Sequence, residues 1–348
     1  MAVTIRDVAK LAGTSVSAVS AVLNNTAGRR IRVSEATRQR ILEAAKQLGY
    51  APNPLARSLV TGRTGVLGLV FPYSRAFIDR NPFSDQIMSG VFEEVVNEGY
   101  NLMLHTAVGN DWNAADEKML LDPRVDGLIL VLPSPNSSVI ARCQEVKFPA
   151  VAVVYATENK QVCTINADDQ HGGFLATQHL IELGHTRIAH FVGDPKVSTA
   201  QPRLQGYLKA MEQAGLQPEP EWMVQAGFDW KDGYSATQRI LQLPKHKRPT
   251  AIFAANDLCA EGVIRALREQ GIPVPEQMSV VGYDDTWFAS MTNPPLTSVH
   301  MPIYEMGKLA AQVLIALVEG REVAQRQYTL PVHLTVRQST APPPKESS

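Results

Sequence analysis

The stretch TIRDVAKLAGTSVSAVSAVLNN, residues 4–25, sets two short apolar-striped runs on either side of AGTS. Thr4-x-x-Asp7 has the form of a capping box. Behind it, Ile5, Val8, Ala9 and Ala12 fall on one helical face, and Arg6, Asp7 and Lys10 on the other. Gly13 supplies a turn, and Ser15 suits the N-cap of a second helix. On that helix Ala18, Val19, Val22 and Leu23 share one face; Val16, Ser17, Ser20, Ala21 and Asn24 share the opposite one. The outer face is small and hydrogen-bonding. Such a face fits the major groove, where Ser and Asn reach base edges or phosphates and Val or Ala meets a thymine methyl. Periodicity alone leaves an ordinary αα-hairpin with a polar outer face as an equal reading.

Charge separates the two readings. The 348-residue chain has a net charge of −1, which by itself points to no partner. Up to residue 63, however, ten basic residues stand against three acidic ones, leaving a head of about +7 on an acidic body. Arg29, Arg30 and Arg32 crowd the segment TAGRRIRV, placed to meet phosphates. A third helix is expected from Ser34 to Leu48, with Ile41, Ala45 and Leu48 inward. In the following YAPNPLARSLVTGRTG, Asn53 can cap and Pro54 suits a first helical position. Leu55 to Val60 makes under two turns, a helix too short to persist alone in water. Gly62 and Gly65 mark a linker; a routine domain linker is the plainer reading of the same residues.

Beyond residue 65, short apolar runs recur in GVLGLVFP, NLMLHTA, VDGLILVLP, AVAVVYA, IAHFVGD, TAIFAAND and MSVVGYDD. Amphipathic helices alternate with them, among them SDQIMSGVFEEVVNEGY, GGFLATQHLIELGH, PRLQGYLKAMEQAG and DLCAEGVIRALREQG. Continuous apolar strands alternating with helices imply parallel sheets covered on both faces, and the number of strands suits two sheets. Ligands bind such sheets beyond the carboxyl ends of the strands. Asn256, Asp257, Asp284 and Asp285 stand at those ends.

These residues resemble the LacI/GalR family of bacterial transcription regulators over nearly the whole chain. The likeness rests on TIRDVAKLAGTSVSAVSAVLNN, SEATRQRILEAAKQLGYAPNPLARSL, HLIELGHTRIA, PRLQGYLKAM, FAANDLCAEGVIRAL and MSVVGYDDTWFASMTNPPLTSV, in the family's order and spacing. The resemblance implies an all-α helix-turn-helix head (1–50), a hinge helix and linker (51–64) and an α/β body (65–340). The body is expected to hold two doubly wound parallel-sheet subdomains of the periplasmic-binding-protein type, with a ligand cleft between them. Their boundaries are expected at 65–163 with 294–325, and 164–293 with 326–340, followed by a Pro-rich disordered tail, 341–348.

The resemblance further implies a homodimer on a near-palindromic double-stranded operator. Leu59 wedges into the minor groove, Arg57 holds phosphate, and Asn53 and Ala56 line the groove or the helix pair. Thr4, Arg6, Ser15, Val16, Ser17, Ser20, Ala21 and Asn24 complete the expected DNA face with Arg29, Arg30 and Arg32. One departure matters. The family's usual Arg in VSRVLN, a guanine reader, is Ala21 here, so that contact is absent.

For a small-molecule effector, most simply a sugar, the resemblance carries over Arg203, Asn256, Asp284 and Trp230, with Tyr73 and Asp168 as further candidates. Each has a plainer reading. Arg203 could pair with an internal carboxylate, Asp284 could cap the next segment, and Trp230 could be core. Ala167 and Ile303 stand where relatives carry aromatics, which suggests a roomier pocket. Control by a corepressor or a phosphoprotein partner is the alternative within the family; a pure sugar-binding protein is the alternative outside it.

No G-x-S-x-G, H-E-x-x-H or P-loop motif is present, and His179 and His185 lack further ligands at a zinc spacing, so no enzyme, cofactor or metal is expected. Three scattered cysteines and the lack of an apolar leader or spanning run fit a cytoplasmic protein without membrane segments.

Overall fold

A computed structural model describes residues 3–23, 33–51, 58, 62–71, 81–106, 122–135 and 137–345. The chain forms two compact units: residues up to 65 with 123–126, and the remainder.

The first unit contains α1 (Ile5–Ala12), α2 (Val16–Leu23) and α3 (Glu35–Leu48). Its core is small and built from Val8, Ala9, Ala12, Ala18, Val19, Val22, Ile41, Ala44 and Ala45. So small a core leaves much of the helix definition to the caps. The Asp7 carboxylate accepts from the Thr4 amide at 2.9 Å and from its hydroxyl at 2.7 Å. These bonds hold the Asp7 carboxyl below the usual carboxylate range. Gly13 ends α1 in a left-handed conformation that glycine adopts without strain. The Ser15 hydroxyl accepts from the Ala18 amide at 3.2 Å, and Ser34 caps α3 through the Thr37 amide. In the same unit, the Asp126 carboxylate accepts from the Thr64 amide (2.7 Å), the Thr64 hydroxyl (2.9 Å) and the Gly65 amide (2.7 Å).

The second unit has two lobes. The first is built on β1 (Val66–Phe71), β2 (Asn101–Thr106), β3 (Gly127–Val131), β4 (Ala150–Val153), β5 (Cys163–Ala167) and β11 (Gln327–Leu330), in the order β11-β5-β4-β3-β1-β2, all parallel. It carries α4 (Pro82–Asn97), α5 (Ser138–Glu145) and α10 (Ile303–Glu319). The second lobe holds β6 (Ile188–Val192), β7 (Met223–Gln225), β8 (Ala251–Phe253), β9 (Ser279–Asp284), β10 (Thr297–His300) and β12 (His333–Thr335), in the order β12-β10-β9-β8-β6-β7. Only β12 runs antiparallel among these. Its helices are α6 (Asp169–Glu182), α7 (Ala200–Gln213), α8 (Trp230–Leu241) and α9 (Asp257–Glu269). Strands β3 and β6 are buried at every residue, as expected of parallel strands covered on both faces.

The crossings between lobes differ from the boundaries expected from sequence. Cys163–Ala167 and Gln327–Leu330 pair with each other in the first sheet, and Thr297–His300 pairs with β9 in the second. Strand pairing therefore extends past each expected crossing before the chain changes lobe. Residue 341, the expected start of the tail, is anchored. Ala341 donates to the Ser279 hydroxyl at 3.0 Å and accepts from that hydroxyl and from the His185 ring. His185 and His179 are thus fastening groups, the second bonding Thr340 at 3.0 Å.

Three helix pairs close through reciprocal glycines. A Cβ on Gly90 would strike the Tyr304 carbonyl, and one on Gly307 the Ile87 carbonyl, across α4 and α10. Gly173 and Gly206 do the same between α6 and α7, against the carbonyls of Arg203 and Gln170. Gly233 and Gly262 repeat the device between α8 and α9. The obstacle is backbone in each case and cannot swing aside. Gly206→Ala is expected to destabilise the second unit by about 2 kcal/mol or more, read as a lower urea midpoint; an unchanged midpoint would show that α6 and α7 separate freely.

Candidate functional site

On the head, α2 buries Ala18, Val19 and Val22 and leaves Val16 and Ser17 exposed, with Ser20 and Ala21 half-buried beside them. This outer face carries no bulky side chain, so its backbone can approach a partner closely. Ser15 is engaged as the N-cap and Thr4 gives its hydroxyl proton to Asp7, while Arg6 is exposed. Asn24, Arg29, Arg30, Arg32, Asn53, Ala56, Arg57 and Leu59 lie outside the described residues, as does Tyr73.

Between the two lobes of the second unit is a cavity of about 90 Å³. The first lobe contributes Asn81, Phe83, Leu132 and Val154; the second contributes Val197, Thr199, Arg203, Phe228, Asn256 and Asp284. Its polar wall is assembled around Arg203 of α7. The guanidinium Nε donates to Asp169 Oδ1 at 2.8 Å, and Nη1 to the Ala255 carbonyl at 2.7 Å. Nη2 lies 3.8 Å from Asp284 Oδ1, and the guanidinium carbon sits 3.5 Å above the Tyr283 ring. Arg203 therefore does both things the sequence left open: it pairs with an internal carboxylate and it faces the cavity.

Asn256 caps α9, accepting from the Cys259 amide at 2.9 Å, and its side chain also bonds Asp284. Burial pushes the Asp284 carboxyl up to about 7, against the lowering pull of Arg203. Its backbone is left-handed, φ 103°, and so are those of Leu132 (51°) and Val154 (59°). Left-handed backbone is unusual outside glycine, and for β-branched Val154 it is strained. Three such residues lining one cavity, all just at the carboxyl ends of strands, mark a place where geometry is held at a cost in stability.

Two expected residues are elsewhere. Trp230 is outside the cavity wall, its ring under the Arg265 guanidinium at 5.0 Å. The capping box at Asp229 starts α8 there and turns Trp230 towards α9, so the cleft aromatic is Phe228, one residue before the cap. Asp168 is exposed and caps α6 through the His171 amide at 2.9 Å. Phe83, Asn81 and Thr199 were missed. Asn81-Pro82, a cap followed by proline at the start of α4, was the available signal. Ala167 and Ile303 are buried and are not among the residues that line this cavity, whose rings are Phe83 and Phe228.

Residues 4–53 match the bacterial regulatory proteins of the lacI family, and residues 177–340 match a periplasmic binding protein-like domain. The HTH-type transcriptional repressor PurR of Aliivibrio fischeri (strain MJ11) is 33% identical over 338 residues, covering 97% of this chain and 98% of that protein. The chain belongs to the lacI family. Among solved structures, the lac repressor dimer bound to operator and the anti-inducer ONPF superposes with a TM-score of 0.85 at 29% identity, covering 98% of this chain and 100% of that one. The transcriptional regulator CelR in complex with cellobiose gives 0.74 at 32%, covering 97% and 100%. This lacI-family chain thus joins a DNA-binding head of repressor type to a two-lobed α/β body.

Two outcomes follow from the cavity wall. Arg203→Ala leaves Asp169 buried without its cation, so a loss of about 3–5 kcal/mol in unfolding free energy is expected; chemical denaturation measures it, and a loss under about 1 kcal/mol would mean the pair is solvated in practice. Asp284 gives a pH signature. Between the ordinary carboxylate range and about 7 the folded chain holds a proton that the unfolded chain has released. Stability from this group therefore falls as pH rises through that window and levels off above it. The difference in urea midpoint between the protein and Asp284→Asn should move against the protein from about pH 5 to about pH 7; a flat difference would place the proton elsewhere.

Proposed function

We propose that this lacI-family repressor binds a near-palindromic operator as a homodimer and that an uncharged, hydroxyl-rich small molecule of sugar type, seated in the interlobe cavity, changes its operator affinity. The observation that carries this reading is the buried wall of Arg203, Asn256 and Asp284 facing Phe83 and Phe228. The Arg203 charge is already matched by Asp169 at 2.8 Å, and Asp284 adds acid, so an anionic ligand gains no net attraction there. A hydroxyl both donates and accepts, which suits a carboxyl near its midpoint beside a guanidinium and an amide. The two rings offer apolar faces to the C–H side of a sugar. The cellobiose complex of CelR supports the ligand class.

Support for the DNA reading comes from the exposed small face of α2 and the cationic head, and from the lac repressor dimer solved on its operator. An exposed apolar set, Phe92 and Val96 on α4 with Leu104 on the edge strand β2, supports a second copy as partner. No helix of the described residues is long and apolar enough to cross a membrane.

The test has two arms. Neutral mono- and disaccharides and their phosphorylated forms are screened by thermal shift, and each hit is added to an anisotropy titration on a duplex selected from a random pool. A neutral hit should move operator affinity by about 5- to 150-fold. Asn256→Ser, which keeps a capping oxygen but removes the amide donor, should weaken binding of that hit while leaving operator affinity without ligand intact. Binding confined to phosphorylated sugars would overturn the ligand class; no salt-sensitive binding to any duplex would overturn the repressor reading.

A further inference from the structure

A second and larger cavity, about 550 Å³, lies within the first lobe. It opens between α5, the turn at 147–150, the start of β5 and the end of α10, and shares no lining residue with the interlobe cavity. Its volume is in the range of drug-sized ligand sites. The floor is apolar, with Leu130, Ile140, Ala152 and Leu317. Two cations, Lys147 and Arg326, stand at its wall, and none of the described lining residues is acidic. Arg326 donates to the Gln161 carbonyl at 3.3 Å and lies 3.6 Å from Cys163 Sγ, leaving its other donors for a further partner. No described residue forms an ion pair with the Lys147 ammonium.

The backbone supplies an independent observation. Lys147 is the left-handed residue that ends α5, with φ 55°, and the Phe148 amide bonds back to the Cys143 carbonyl at 2.8 Å. Glycine is the residue that takes this position without strain. Elsewhere among the described residues, the left-handed helix ends are glycines: Gly13, Gly49, Gly99, Gly215, Gly271 and Gly320 among them. The other left-handed residues that are not glycine are Leu132, Val154, Asp284 and its neighbour Asp285, at or beside the interlobe cavity. Lys147 is the one that stands apart from it, and it stands at the mouth of the other cavity. A strained backbone thus places an ammonium at the mouth of this cavity where glycine would sit more easily.

We propose that this cavity is a second small-molecule site, and that it takes an organic anion with an apolar body, the anionic head between Lys147 and Arg326 and the body against Leu130, Ile140 and Leu317. Burial pushes the Cys143 thiol to about 12 and raises that of Cys163, so the two thiols form wall and not reactive groups. The site is independent of the sugar reading, since it shares no lining residue with the interlobe cavity.

The experiment uses the full chain with 8-anilinonaphthalene-1-sulfonate as fluorescent probe, 4-phenylbutyrate as competitor and 4-phenylbutyramide as its uncharged twin. The carboxylate should displace the probe and the amide should not. Lys147→Gly relieves the backbone, so its melting temperature should equal or exceed that of the parent, while the displacement constant weakens by about fivefold or more. Lys147→Arg, which keeps the charge, should retain that constant within about twofold. Displacement by carboxylate and amide alike, no displacement by either, or an unchanged constant in Lys147→Gly would each overturn the proposal. A purely structural lysine would change the melting temperature and leave the displacement constant alone.

Discussion

The ion pair between Arg203 and Asp169 organises the second lobe. It joins the first turns of two helices, α7 and α6, and both side chains are almost wholly out of water. Two buried charges are tolerable only with close geometry and further hydrogen bonds. The geometry depends on Gly173 and Gly206, which let the two helices touch backbone to backbone. A further bond comes from the Ala255 carbonyl, and the Tyr283 ring lies beneath the guanidinium, 3.5 Å from its carbon. Four segments distant in sequence are thereby fixed to one planar group. The cavity wall is the outer side of that arrangement, so its shape is set by packing before any ligand arrives.

The same group reaches the place where the chain changes lobe. Arg203 Nη2 lies 3.9 Å from the sulfur of Met301, which follows β10 and precedes α10. Met301 in turn donates to the Asp284 carbonyl at 3.2 Å, and Asp168, at another crossing, donates to the Leu330 carbonyl at 3.0 Å. A group pressing on Arg203 or Asp284 therefore presses on a crossing segment as well. The cavity wall and the crossing segments thus share direct contacts.

Most of the architecture was legible because parallel strands buried on both faces leave short continuous apolar runs, ended by turns and alternating with amphipathic helices. What was illegible had local causes. CTINA in β5, QYTL in β11 and HLT in β12 carry polar residues, since β11 and β12 are edge strands and the Asn166 side chain of β5 bonds the backbone of Tyr155. The lobe boundaries slipped with them. Phe228 and Trp230 lie two residues apart on either side of a helix cap, and only the direction of the cap decides which ring faces the cleft. Arg203, Asn256 and Asp284 were legible through resemblance; the left-handed backbones of Leu132, Val154 and Lys147 left no mark in residue type.

In the head the balance is different. Its core is mainly Ala and Val, which bury little area each, and each cap at Thr4, Ser15 and Ser34 contributes about 1 kcal/mol. Against so thin a margin, the three hydrogen bonds from Thr64 and Gly65 to Asp126 carry weight, because bonds to a charged acceptor are among the stronger ones. They fix the chain at the exit of the segment that follows α3. Asp126 itself is followed directly by Gly127 of β3, and Gly65 by Val66 of β1. One carboxylate thus ties together the ends of two segments of the first unit, those that lead into β1 and β3.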